Sequence, residues 1–313
     1  MSSSESEPNR PLPNRPLPNR PKARSDAEPL ITSQQRRRLL GGSFAQQQSL
    51  TEAQEYDAVR PRYPQEAVAD ILALAADPAT RRPAHPATGS PGGLSGGPPQ
   101  IVDPLIVDLG AGTGILSRAL LGSGARVHAV EPSTAMTQIL SSTAAPHADR
   151  LQITRASAEE TGLPSAEADL VVAAQAWHWF DTEAVQTEIA RLLVPGGGLA
   201  LIWNYLDTAD PTVHRLTRIM RAGDTYRPGW RPTLDAERFS PTQTTEYRWT
   251  RTLSVAEIFR YATTLSSWLS ADDAQRDRRR TNLGDYLHRE LGLADDDAVQ
   301  FPQITALHTA RLR

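Results

Sequence analysis

Leu105-Ile106-Val107-Asp108-Leu109-Gly110-Ala111-Gly112-Thr113-Gly114-Ile115-Leu116, continued to Val127-His128-Ala129-Val130-Glu131-Pro132, decides how the chain is read. The apolar run Leu105–Val107, carried on to Asp108 and Leu109, has the composition of a strand buried on both faces. Gly110 to Gly114 form a turn. Ile115, Leu116, Ala119 and Leu120 then recur at helical spacing, with Gly122 and Gly124 as stop signals. Val127, Ala129 and Val130 give a second strand, closed by Glu131 and Pro132.

A glycine turn lets backbone N–H groups approach a ligand where a Cβ would clash. An acid at the tip of the second strand suits both hydroxyls of a ribose. The pair therefore points to a nucleoside. A phosphate-binding Walker loop is excluded, because no Gly-Lys-Ser/Thr follows. The dinucleotide fingerprint is a nearer rival, but it wants glycine or alanine where Ile115 stands.

The 313 residues suffice for one large or two small domains. Hydrophobic content is 39 %, and the shortfall is concentrated in the first forty residues and in residues 77–104. Cysteine is absent, which excludes disulfides, thiolate metal sites and a cysteine nucleophile. The seven histidines show no metal-ligand spacing, so no metal is expected. No apolar run approaches the roughly 20 residues of a membrane span, and no apolar signal segment opens the chain. A cytoplasmic protein with no membrane partner is the expectation. Residues 1–42 hold eight Lys/Arg against four Asp/Glu, so a net charge of −3 leaves the rest at −7. An acidic body argues against a nucleic-acid partner.

Along the chain, residues 9–21 repeat Asn-Arg-Pro-Leu-Pro, a density of proline that prevents helix and ladder formation. Residues 1–42 are read as a disordered tail and 43–313 as one domain. Residues 77–104, with seven prolines and five glycines, are read as a flexible insertion. Ser133 is placed as the N-cap of a helix through Leu140. Strands follow at Leu151–Ile153, Asp169–Ala174 and Leu199–Trp203, with a helix over Thr182–Leu193 and a sharp turn at Pro195–Gly198. Strands alternating with helices imply a parallel sheet with right-handed crossovers. Beyond it, a helix is expected at Thr212–Met220, a strand at Thr245–Arg251, helices at Val255–Leu269 and Asp272–Leu291, and a last strand at Val299–Leu312.

The stretch Val107-Asp108-Leu109-Gly110-Ala111-Gly112-Thr113-Gly114 resembles the first motif of class I S-adenosylmethionine-dependent methyltransferases. Three further segments are similar to a small-molecule group within them, methyltransferase type 11. They are Tyr56 with Arg60-Pro61-Arg62-Tyr63-Pro64, Gln175-Ala176-Trp177-His178-Trp179-Phe180-Asp181, and Leu193-Val194-Pro195-Gly196-Gly197. The resemblance implies a doubly wound, seven-stranded, mostly parallel Rossmann-like sheet. Its last strand would be antiparallel, and residues 206–295 would form a helical elaboration on the acceptor side.

It also implies roles. Gly110, Ala111, Gly112 and Gly114 approach the methionine part of S-adenosyl-L-methionine, and Asp108 orders the turn and the ammonium. Glu131 takes the ribose, with Pro132 beside it. Ala158 and Glu159 meet adenine, and Gln175 and Ala176 line the cofactor. His178 is the candidate base; the alternative is a histidine packed between Trp177 and Trp179. Tyr56, Arg60 and Tyr63 read either as a lid or as a proline-stiffened helix entry. Trp203, Asn204 and Tyr205 are candidates for the acceptor pocket. The loop Tyr226–Arg231 either meets an anionic acceptor or is simply anchored by Trp230. The expected reaction is methyl transfer to an O, N or carboxylate of a small molecule. Two alternatives remain, a nicotinamide-dependent oxidoreductase and a non-catalytic module that binds the methyl donor; a third, a macromolecular methyltransferase, is disfavoured by the acidic body.

Overall fold

The computed structural model of the protein describes residues 49–76, 104–223 and 225–313. The readings of 1–42 as a tail and of 77–104 as an insertion lie outside the described residues, Pro104 excepted. The first motif folds as its pattern dictates. β1 (Leu105–Leu109) leads through the glycine turn into a helix over Ile115–Gly122, and β2 (Arg126–Val130) follows. That helix ends in a Schellman motif. Gly124, at φ 101°, donates its N–H to Leu121 O, and Ala125 donates to Leu120 O.

Among the described residues, two helices precede β1: α1 (Leu50–Val59) and α2 (Gln65–Ala75). Ser49 caps α1 in a reciprocal box with Glu52. The helix between β1 and β2 is α3. After β2 come α4 (Thr134–Thr143), β3 (Leu151–Thr154), β4 (Ala168–Ala174), a 3-10 turn at Trp177–Trp179, α5 (Thr182–Leu192) and β5 (Leu193–Leu206). Ser133 Oγ accepts from Met136 N at the start of α4, and Asp181 caps α5. The order of the sheet is β3-β2-β1-β4-β5-β7-β6, where β6 spans Gln243–Ser254 and β7 Ala298–Arg311. β1 to β5 pair in parallel, and β7 lies antiparallel to both β5 and β6. The seven-stranded sheet with an antiparallel last strand is as expected.

Leu109, Val171, Leu201 and Trp203 on one face of the sheet pack with Val185 and Ile189 of α5. On the other face, Ile106, Val127, Val172 and Ile202 pack with Ile71 of α2, Leu116 and Leu120 of α3, and Leu140 of α4. Complete burial on both sides is why these strands read as unbroken apolar runs.

Three expectations need correction. The turn at Pro195–Gly198 does not precede β5 but interrupts it. Ala168 pairs with Leu193 and Leu170 with Gly198, so the residues between bulge out of a strand that already began at Leu193. The helix expected over Val255–Leu269 breaks in two, α7 (Val255–Thr263) and α8 (Ser266–Leu269). At the break Thr264 Oγ1 bonds back to Tyr261 O, and Thr264 O accepts from Arg60 Nη2 at 2.7 Å, a partner 204 residues away. The helix expected over Asp272–Leu291 is α9 (Asp273–Gly284) running into a π turn at Asp285–Glu290. Residues 206–295 carry β6 as well as helices, in keeping with the strand expected at Thr245–Arg251. α6 (Pro211–Met220), α7 and α9 form a third core with Leu206 and Phe301.

The motif glycines are not equivalent. A Cβ at Gly114, where φ is 80°, would stand 2.1 Å from Leu140 Cδ1. A Cβ at Gly122 would meet nothing within 4 Å. Gly114→Ala is therefore expected to destabilise the fold by roughly 2–4 kcal/mol through overpacking and left-handed backbone strain. Gly122→Ala should stabilise it by about 0.5–1 kcal/mol. Urea unfolding of the two variants checks the difference.

Candidate active site

The site is assembled at the carboxyl ends of β1, β2 and β4, where an open parallel sheet presents its loops. Gly110 N and Ala111 N both donate to Val130 O, at 2.8 and 3.1 Å. Glu131 then receives Gly112 N–H on Oε2 at 3.0 Å and Ser133 N–H on Oε1 at 2.9 Å. Its side chain is 8 % exposed, and burial pushes its pKa up against these two bonds. Gly110, Gly112 and Gly114 have φ of 68°, 57° and 80°. Their reasons differ. A Cβ on Gly110 would approach Ala176 Cβ to 2.7 Å, and one on Gly114 would strike Leu140. At Gly112 nothing lies within 4 Å. Among the three, Gly112 alone fronts open space.

Asp108 lies beneath this turn, fully buried. Its Oδ2 accepts from Ser117 Oγ at 2.6 Å, while Oδ1 is buried with no hydrogen-bond partner. Burial first, and the neighbouring charge of Glu131, push its pKa up to about 7. Gln175 follows β4 in left-handed backbone, φ 56°. Its N–H donates to Ile202 O and its Nε2 to Asn204 O, leaving Oε1 buried without a partner. A non-glycine residue at positive φ is strained, and such residues gather at functional sites.

Ala158 is buried with Trp177 and Phe180, and Glu159 Oε1 accepts from Asp181 N at 2.9 Å. The loop after β3 is thus tied to the turn after β4. His178 sits in that turn, partly exposed, its ring 4.7 Å from that of Trp179. Pro132 is exposed beside Glu131. The candidate cofactor residues and His178 therefore lie at or just past the carboxyl ends of β1, β2, β3 and β4.

Tyr56 packs against Ala135, Met136 and Ile139, which sets α1 over the start of α4 and next to Glu131. Arg60 lies over the rings of Tyr56 and Tyr261, at 4.7 and 5.6 Å. Trp203 and Asn204 do not line a pocket. Both are 4 % exposed, and Asn204 is held by Arg62 O and Thr305 Oγ1. Trp230 anchors its loop edge-on to Trp203 and His308.

Sequence reasoning missed a clamp. Arg118, at the start of α3, donates to Thr113 O, to Thr143 Oγ1 at 2.7 Å and to Asp57 Oδ1 at 2.6 Å. Burial pushes the Asp57 pKa up, but bonds from Arg118 and its neighbours outweigh it and hold the carboxyl below its ordinary range. The clamp joins α1 to the glycine turn. Arg118 and Asp57 lie 61 residues apart, so no local pattern announces the pair.

Known proteins match this arrangement. Residues 107–201 match the family model described as a methyltransferase domain. An uncharacterized methyltransferase of Mycobacterium tuberculosis is 32 % identical over 258 residues, covering 82 % of this chain and 92 % of the relative. An uncharacterized methyltransferase of Schizosaccharomyces pombe is 34 % identical over 116 residues, 37 % of this chain and 45 % of the relative. Among solved structures, one assigned to a type II methyltransferase from Anaeromyxobacter dehalogenans superposes with a TM-score of 0.51 at 25 % identity. The match covers 80 % of this chain and 97 % of that one. With the glycine turn, the clamped acid after β2 and the seven-stranded sheet in place, the chain belongs to the class I S-adenosylmethionine-dependent methyltransferases.

Proposed function

We propose that the protein transfers a methyl group from S-adenosyl-L-methionine to an oxygen, nitrogen or carboxylate of a small molecule. The domain that does so is read as residues 43–313, with the region 206–295 on the acceptor side. The observation that carries the reading is the buried Glu131 carboxylate, held by Gly112 and Ser133 N–H groups beside the open space over Gly112.

The residues present fit the donor. Two buried oxygens, Asp108 Oδ1 and Gln175 Oε1, have no partner among the described residues, and both are acceptors suited to an ammonium or amine. Each Glu131 oxygen accepts one backbone bond and keeps capacity for a ribose hydroxyl. Gly110, Ala111, Gly112 and Gly114 would lie along the methionine part, Pro132 beside the ribose, and Ala158 and Glu159 beside the base. When bound, the sulfonium supplies a methyl carbon already activated for in-line displacement. The protein's own share is then mostly orientation and exclusion of water. α1 would close over the donor, and His178 would accept the acceptor's proton on a ring nitrogen. A carboxylate acceptor needs no such base.

Gly112→Val puts a branched side chain into the open space, and Glu131→Ala removes the ribose acceptor. Each is expected to abolish or strongly weaken S-adenosylhomocysteine binding in calorimetry; wild-type affinity in both would defeat the site. The Asp108 pKa lies above its ordinary 3.8, so the stability its protonated form contributes is lost as pH rises from about 4 to about 7. The ligand's ammonium favours the ionised form. S-adenosylhomocysteine affinity should therefore fall as pH drops through about 7, by up to roughly tenfold per unit, and level off above it. Asp108→Asn should flatten that profile. If His178 is the base, His178→Ala lowers kcat by about 10²- to 10⁴-fold with donor affinity unchanged. A steady-state assay over a panel of small alcohols, amines and acids measures this.

A further inference from the structure

Beyond the carboxyl end of β5 a cavity of about 430 Å³ opens between α6 and the segment that follows it. Its walls include Thr208, His214, Thr217, Arg218, Arg221 and Tyr226. No lining side chain is acidic among the described residues. Asp224, between the lining residues Gly223 and Thr225, lies outside the described residues, and the other nearby acids already have partners. Asp207 pairs with Arg248 at 2.8 Å, Asp210 caps α6 by accepting from Val213 N, and Glu246 accepts from Tyr226 Oη. Among the described residues, neither Arg218 nor Arg221 pairs with a carboxylate.

A basic residue in the last turn of a helix is expected on dipole grounds, and that accounts for Arg218. It does not account for Arg221. Arg221 occupies left-handed backbone, φ 52° and ψ 44°, where glycine or asparagine would end a helix without strain. It also stands near Arg279, which is 9 % exposed and whose pKa is lowered by burial and then by the charge of Arg221. Three guanidinium groups thus gather at one end of a body whose net charge beyond residue 42 is negative.

The location is informative. β5 lies next to β4 in the sheet, and Gln175 donates to Ile202 O four residues before β5 ends at Leu206. The cavity therefore opens on the edge that carries the candidate site. We propose that it binds an oxyanion, a carboxylate or phosphate group, between Arg218, Arg221 and His214, and that this group belongs to the methyl acceptor. Only the last step rests on the methyl-transfer reading. Guanidinium forks suit either oxyanion bidentately.

Calorimetry on the full chain at low salt, with citrate and inorganic pyrophosphate as probes, tests it. At least one should bind the wild type saturably, with Kd below about 1 mM. Citrate alone would indicate a carboxylate, pyrophosphate alone a phosphate. Arg218→Ala/Arg221→Ala should raise that Kd roughly tenfold or more, the loss expected for charge-assisted bonds. Arg221→Gly should weaken binding while raising the melting temperature, because it relieves the backbone and cannot fail merely by unfolding. S-adenosylhomocysteine binding should be unchanged in both variants. If neither probe binds saturably, or if the variants bind like wild type, the anion site is refuted. If the probes bind but S-adenosylhomocysteine does not, the methyl-transfer reading and with it the acceptor assignment fall, while the anion site stands.

Discussion

A single buried carboxylate holds the site in shape. Glu131 closes β2, and its two oxygens take one N–H from the turn after β1 and one from the start of α4. An isolated buried charge would be expelled by its desolvation cost, or would neutralise. Two backbone donors make it tolerable and in doing so fix three chain segments against one another. The left-handed backbone of Gly112 follows from this, because its N–H must point at Glu131 while its α-carbon faces open space. Asp108, one strand away, is bonded by Ser117 alone, at one oxygen, and so behaves differently. One acid is satisfied by the fold, and the other keeps an oxygen without a partner among the described residues.

Around this centre the rest of the chain serves mainly as walls. α1 is brought over the end of β2 by an apolar contact, Tyr56 on α4, and by a charged one, Asp57 with Arg118. The charged contact is worth more than a surface pair, since both side chains are largely buried and Arg118 also secures the glycine turn through Thr113 O. Arg60 reaches from the same segment to the break between α7 and α8. The helical elaboration is thus tied to the segment that follows α1. At its far end the basic cavity beside α6 concentrates positive charge on an otherwise acidic body. Charge of that sign at a mouth raises the local concentration of anionic ligands.

Much of the fold was legible in the chain because its signals are local. Two buried strands, a glycine turn and an N-capping serine each act within a few residues, and each is where the pattern puts it. What misled was interrupted regularity. Pro195–Gly198 carries the composition of a loop, yet the sheet absorbs it as a bulge because β4 supplies ladder partners before it, at Leu193, and again from Gly198, where β7 also joins. The amphipathic run Val255–Leu269 carries the composition of one helix, yet Arg60 takes the Thr264 carbonyl and the helix divides. Trp203 and Asn204 follow a strand like pocket residues, but β5 runs on to Leu206 and buries both.

By itself the sequence determined the parallel sheet and the acids and glycines placed at the carboxyl ends of its strands. Burial periodicity and turn chemistry act over a few residues and survive without tertiary context. Tertiary structure decided which glycine fronts open space and which avoids Leu140 or Ala176, which acid keeps an oxygen without a partner among the described residues, and where Arg218 and Arg221 gather. Those properties depend on what a residue meets from segments tens to hundreds of positions away, and spacing along the chain carries no record of such meetings.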